Sequence, residues 1–129
     1  MNLPPEGRRA RGDAAEERAC RHLERSGFTI VERNYRTEGG EIDIVARKGD
    51  LLVFVEVRSR EAPGFGTPEE SVTPAKRRRI VGAARRYLSN VPPSSWREAR
   101  FDVIAIEGVG NAAVIRHYPA AFDAKGKTL

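Results

Sequence analysis

The chain has 129 residues, 40% of them hydrophobic, and carries a net charge of +5 with a pI of about 9.9. That size suits one domain with a modest core. No apolar run reaches the roughly 18 residues a membrane helix needs, and the opening MNLPPEGRRARG lacks the apolar segment of a secretory signal, which predicts a cytoplasmic protein. The single cysteine, Cys20, excludes an intrachain disulfide and a cysteine-based zinc cluster, and reads as a small buried hydrophobe in a helix.

The chain opens on residues 1–11, expected to be a flexible basic tail; a single domain then spans 12–120, and 121–129 form a C-terminal tail. Residues 13–26 predict a helix with Ala15, Ala19, Cys20 and Leu23 as its apolar stripe and Gly27 at its end. Residues 28–35, 41–48 and 51–59 read as three strands. The Gly/Pro-rich stretch 61–71 follows, where Pro63, Gly64 and Gly66 suggest a shaped flap and Phe65 is either a tucked-in anchor or a stacking surface for a base. Thr73-Pro74 supplies an N-cap and a first-turn proline for a helix to about Ser89. Two further strands, 100–107 and 112–118, complete the order α-β-β-β-α-β-β. This predicts the α/β class, a mixed β-sheet flanked by helices.

The stretch GGEIDIVARKGDLLVFVEVR, residues 39–58, sets the main question. A hairpin with Gly49-Asp50 as a two-residue loop has glycine where a type II′ turn wants it. Lys48 then faces Leu51, Ala46 faces Val53, Ile44 faces Val55 and Ile42 faces Val57, an apolar face that a one-residue slip would spoil. The other face pairs Val45 with Phe54, Asp43 with Glu56, and Glu41 with Arg58. Two directly opposed carboxylates repel, and more strongly when buried. A shared proton, a basic side chain or a bound cation would offset the repulsion; hard oxygen ligands at this spacing suit Mg²⁺ or Mn²⁺. Alternatively the pair points to solvent among arginines, and Arg58 is a cross-strand partner of Glu41.

Two helical residues are candidates to join this pair. Glu16 edges the apolar stripe of the first helix and so points toward the sheet, although Asp13-Ala14-Ala15-Glu16 also fits a capping box. Lys76 clusters on a helical wheel with Ile80, Ala83, Ala84 and Tyr87. It either snorkels from the buried stripe or contacts a phosphate in the site. Arg78, Arg79, Arg85 and Arg86 occupy the opposite half of that helix. With Arg60 they are candidates for contacts to a nucleic-acid backbone, or ordinary surface.

Asp43, Glu56-Val57-Arg58 on the next strand and an upstream helical Glu16 together resemble the PD-(D/E)XK nuclease superfamily. The fuller pattern is similar to the bacterial YraN family, itself similar to archaeal Holliday-junction resolvases. The matching pieces are Gly12, Glu16, Ala19, Leu23 and Gly27; Asn34 and Arg36; GEIDIVA at 40–46; LVFVEVRSR at 52–60; Gly66; Lys76; YL at 87–88; and RFDV at 100–103. The resemblance implies a restriction-endonuclease-like core and a metal-dependent endonuclease acting on DNA, branched or structured, as a homodimer. Asp43, Glu56 and the Val57 carbonyl would hold Mg²⁺ or Mn²⁺, with Glu16 acting through the metal's water shell. The superfamily's usual lysine two residues after the glutamate is replaced by Arg58, whose guanidinium, unlike an ammonium, does not give up a proton to act as a base. Arg58 would hold the scissile phosphate instead, with Lys76 nearby. The arginine also motivates an alternative, a non-catalytic nucleic-acid-binding module that keeps the nuclease fold.

Overall fold

A computed structural model describes residues 5–60 and 72–127. The expected flap, with Phe65, lies outside the described residues. Helix α1 spans Pro5–Arg25, strands β1, β2 and β3 span Thr29–Thr37, Gly40–Lys48 and Leu51–Arg60, helix α2 spans Pro74–Ser89, and β4 and β5 span Glu98–Glu107 and Val114–Phe122. The strands form one sheet in the order β1-β2-β3-β4-β5. Only β3 and β4 run parallel, because α2 connects them; the other pairs are antiparallel.

Each helix covers one face. On the α1 side, Ala15, Ala19, Cys20 and Leu23 pack on Ile44, Ala46, Val53, Val55, Ile104 and Ile106. On the α2 side, Ile80, Ala83, Ala84 and Tyr87 pack on Val45, Phe54, Phe101 and Val103. Strand β3 is therefore buried on both faces from Leu52 to Glu56, as a strand between two helical layers must be.

The hairpin register is the expected one: Lys48 pairs with Leu51, Ala46 with Val53, Val45 with Phe54 and Ile44 with Val55. Gly49 takes φ +62°, the sign a type II′ turn requires at its first central position. Thr73 caps α2 by accepting a hydrogen bond from the Lys76 amide, and Pro74 follows it.

Three features differ from expectation. Helix α1 begins at Pro5, so Asp13 lies inside the helix and the capping-box reading of Asp13 and Glu16 falls. Strand β5 runs on to Phe122, which is 3% exposed and stacks on Phe101 at 5.1 Å between ring centroids. The end of the chain thus contributes to the core rather than leaving the domain at residue 120. Ile42 joins the α2-side cluster with Val45, not the α1-side cluster of Ile44. The cause is a break in alternation at Asp43, which lies between two buried isoleucines and beside Asn34, whose φ is +54°.

Candidate functional site

The β2–β3 ladder ends at Ile44 and Val55. Beyond that pair the Asp43 side chain takes over: its Oδ2 accepts the Val57 backbone N–H at 2.8 Å. Asp43 and Glu56 therefore meet where the two strands part. Glu56 is 3% exposed. From α2, Lys76 Nζ reaches Glu56 Oε1 at 2.9 Å, and Arg58 Nη1 lies 3.8 Å from the same oxygen. From α1, Glu16 is 9% exposed, and its Oε1 is buried with no hydrogen-bond partner. The two helices and the opening in the sheet thus converge on three carboxylates and two cations.

The electrostatics follow from that convergence. Burial, then the charge of Glu56, pushes Asp43 up to about 7; a hydrogen bond with the Glu56 carboxylate also favours its protonated form, while the Val57 amide and Lys76 oppose the rise. Glu16 is raised too, first by burial and then by the charge of Asp43, against a lowering by Arg33. Two of the three ways of relieving carboxylate repulsion are thus present in the protein itself: a proton on the Asp43–Glu56 pair and an ammonium on Glu56. Among the described residues, no three His, Cys, Asp or Glu side chains come together closely enough to hold a metal ion directly. The carboxylates form an inner pair, Asp43 and Glu56, with Glu16 standing off beside it.

The other expected site residues distribute as follows. Glu41 pairs with Arg36 at 3.2 Å, so the cross-strand pair expected with Arg58 is not the one Glu41 makes. Arg60 is held by Glu107 at 3.6 Å at the far end of β3. The arginines of α2 part along two edges. Arg79 and Arg86 line cavities against the β1–β2 turn. Arg85 leans toward the C-terminal segment, where its guanidinium reaches the Ala124 carbonyl at 3.5 Å. Arg78 is exposed.

A second buried cluster went unnoticed in the sequence. Asp102, 0% exposed, accepts from Arg100 Nε at 2.8 Å and Nη2 at 2.9 Å, and from the Ala120 amide at 3.0 Å. Its Oδ2 also meets His117 Nε2 at 2.7 Å, and His117 Nδ1 meets His22 Nε2 at 3.1 Å. The available signal was the one used for Asp43: an acid inside an apolar run, RFDVIAI.

A five-stranded mixed sheet between two helices, with carboxylates gathered where two strands part, defines an α/β protein with a restriction-endonuclease-like fold. Within that class, the chain belongs to the family described as Uncharacterised protein family UPF0102, the YraN family, whose model matches residues 15–106. A UPF0102 protein of Myxococcus xanthus is 47% identical over 120 residues, 93% of this chain and 94% of that protein. One from Anaeromyxobacter dehalogenans is 44% identical over 123 residues, covering 95% and 90% of the two chains. One from Dechloromonas aromatica is 54% identical over 99 residues, 77% of this chain and 80% of its own length. No helix among the described residues is long and apolar enough to cross a membrane.

Proposed function

We propose that this protein is a metal-dependent endonuclease that hydrolyses phosphodiester bonds of DNA, with branched or structured DNA as the preferred substrate. The observation that carries the reading is the pair of half-buried Asp43 and buried Glu56 where β2 and β3 part, with an unpartnered Glu16 oxygen beside it. This donor set consists of hard carboxylate oxygens and fits Mg²⁺ or Mn²⁺, which take one or two carboxylates directly and keep several waters. Asp43, Glu56 and the Val57 carbonyl would hold the ion, and Glu16 would accept from its water shell. When bound, the ion lowers the pKa of water and offsets charge on the phosphate.

The chain's own residues do the rest. Asp43 gives up its proton to become a ligand, so activity at limiting metal rises with pH through about 7. Lys76 holds the Glu56 carboxylate at Oε1 and keeps it oriented. Arg58 supplies a fixed positive charge beside Glu56 for a phosphate oxygen, and exchanges no proton. Symmetric cutting of two strands calls for a second copy of the chain, which makes a homodimer the expected working form.

The test is cleavage of four-way-junction, flap and linear DNA in Mg²⁺, Mn²⁺ or EDTA. Wild type should cut only with metal, and Asp43→Ala and Glu56→Ala should each lose at least about 10²–10³-fold, the scale of removing one electrostatic contact to a transition state. A second reading is favoured by the Lys76–Glu56 pair at 2.9 Å, which already places a cation on the site. Under it the protein is a non-catalytic nucleic-acid-binding module, with salt-sensitive binding that ignores metal. Metal-stimulated cutting that disappears in Glu56→Ala eliminates this second reading.

A further inference from the structure

Two open cavities lie end to end between the β1–β2 turn and one edge of α2. The first, of about 230 Å³, is lined by Arg36, Glu41, Lys76, Arg79 and Ile80 among others. The second, of about 520 Å³, is lined by Tyr35, Gly39, Gly82 and Arg86. Both share Arg36, Thr37 and Glu38, so they form one groove with a common wall. Lys76 sits at its inner end, with its ammonium on Glu56. The groove therefore runs directly away from the carboxylate pair.

Its walls are fixed by a close approach. A Cβ at Gly40 would strike the Arg79 carbonyl, so the turn is seated on the α2 backbone and only glycine fits there. Thr37 tightens the same turn, accepting from the Gly39 amide and donating to the Gly40 carbonyl, both at 3.2 Å. Arg79 and Arg86 stand two helical turns apart on one edge of α2, about 10 Å along its axis. That distance matches about three base steps of one strand. Four cations, Arg36, Lys76, Arg79 and Arg86, face two carboxylates, Glu38 and Glu41. Glu41 is occupied by Arg36 in an exposed pair of little net strength.

We propose that this groove seats the phosphodiester backbone of the strand to be cut, with Arg79 and Arg86 on phosphates about three steps apart, Arg36 on the facing wall, and the Lys76 end delivering one phosphate to Asp43 and Glu56. The inference rests on the nuclease reading and adds to it the path of the substrate. Thr37 spends its hydroxyl inside the turn, and apart from the Tyr35 phenol the groove's other polar side chains are charged. Recognition is therefore of backbone rather than base, and affinity is independent of sequence. It also separates the arginines of α2 into a binding edge, Arg79 and Arg86, and an edge that serves the C-terminal segment.

The test measures equilibrium binding of the full chain in EDTA, by fluorescence anisotropy, to a DNA duplex, its single strand and an RNA duplex of the same sequence, over a series of salt concentrations. Two double variants remove the same charge: Arg79→Ala/Arg86→Ala in the groove, and Arg21→Ala/Arg97→Ala on exposed surface elsewhere. The groove variant should lose at least tenfold in affinity, and its log–log salt slope on duplex should shrink by about 1.8, at about 0.9 per phosphate released. The surface variant should stay within twofold. Equal losses in the two variants, no loss in either, or no wild-type affinity for any of the three would overturn the proposal. The tighter of the DNA and RNA arms names the source of the backbone. Binding that follows the groove without metal-dependent cutting would sink the nuclease reading and leave the groove standing. Metal-dependent cutting with binding indifferent to Arg79 and Arg86 would do the reverse.

Discussion

Asp43 and Asp102 are carboxylates set into the same sheet, the first half-buried and the second fully buried, and they end in opposite states. Asp102 sits where the β4–β5 register shifts between Phe101 and Val103, and the slack brings the Ala120 amide, Arg100 and His117 onto its two oxygens. Burial alone would raise it, but the hydrogen bonds of His117, Arg100 and the Ala120 amide outweigh burial and hold it below the usual aspartate range. Asp43 also sits where pairing fails, yet it receives one amide and a second carboxylate, and is pushed up to about 7. The first arrangement is saturated and has no capacity left for a ligand. The second is held by a proton and the Lys76 ammonium, and a divalent cation would compete with that proton. Burial acts to raise both acids; what separates them is whether hydrogen-bond donors are already in place.

The sharpest way to break this contrast is to remove each acid. Asp102→Ala strands Arg100 and His117, whose side chains are 25% and 16% exposed. The loss should be about 3 kcal/mol, the low end for a broken buried pair because Arg100 keeps some water. That is about 10 °C in melting temperature for a domain of this size. Because Asp102 is lowered in the folded state, its contribution is present above the ordinary aspartate range and disappears as pH falls below it. Asp43→Asn should do the opposite and stabilise. The folded state holds the Asp43 proton up to about 7, against an ordinary value of 3.8, so wild type loses stability as pH rises through that window. At about 1.4 kcal/mol per tenfold change in proton affinity, tempered by partial exposure, Asn should gain about 2 kcal/mol at pH 8. Chemical denaturation across pH reads both. Destabilisation by Asp43→Asn at pH 8 would mean that the two acids are alike.

A third measurement asks whether the Asp43–Glu56 pair accepts a cation. Mn²⁺ at ten times its dissociation constant should stabilise wild type by about 1.4 kcal/mol. At one fixed Mn²⁺ concentration the effect should be larger at pH 8 than at pH 5.5, because the ion competes with the Asp43 proton. It should vanish in Asp43→Asn. Thermal shift reports this without any need for turnover.

Much of this site was legible because alternation is strict. A one-residue slip in the hairpin would have moved every side chain to the other face, so the spacing of Ile44, Ala46, Val53 and Val55 fixed the register and placed Asp43 near Glu56. Thr73 and Pro74 announced α2 because capping is local chemistry. What stayed hidden depends on distant parts of the chain. His22 and His117 are 95 residues apart, and no spacing rule brings them together. The kink at Asn34 and Asp43, which sends Ile42 to the opposite face, breaks the repeat from which such rules are built. Phe122 stands in a short polar tail and is buried only because β5 carries extra residues around Ala120, where φ is +52°. The division of the α2 arginines into two edges needed the Gly40 contact, which a helical wheel of α2 alone does not contain.

The smallest effect gives the finest separation. His22 sits half-buried on α1, against His117 of β5 and near Arg25 of its own helix. Burial, then His117 and Arg25, lowers its pKa, so the folded state favours the neutral ring. Stability from this group is therefore present above the ordinary histidine value of 6.5 and is lost as pH falls below it. Asp43 slopes the other way, losing stability as pH rises toward about 7. Between pH 5 and 7 the two oppose each other, so the wild-type slope is their difference. Asp43→Asn should uncover a stability that rises with pH. His22→Ala should cost about 1 kcal/mol for the lost hydrogen bond and uncover one that falls. The double variant should lose both dependences. A wild-type slope that survives unchanged in both single variants would place the titrating groups outside the two clusters.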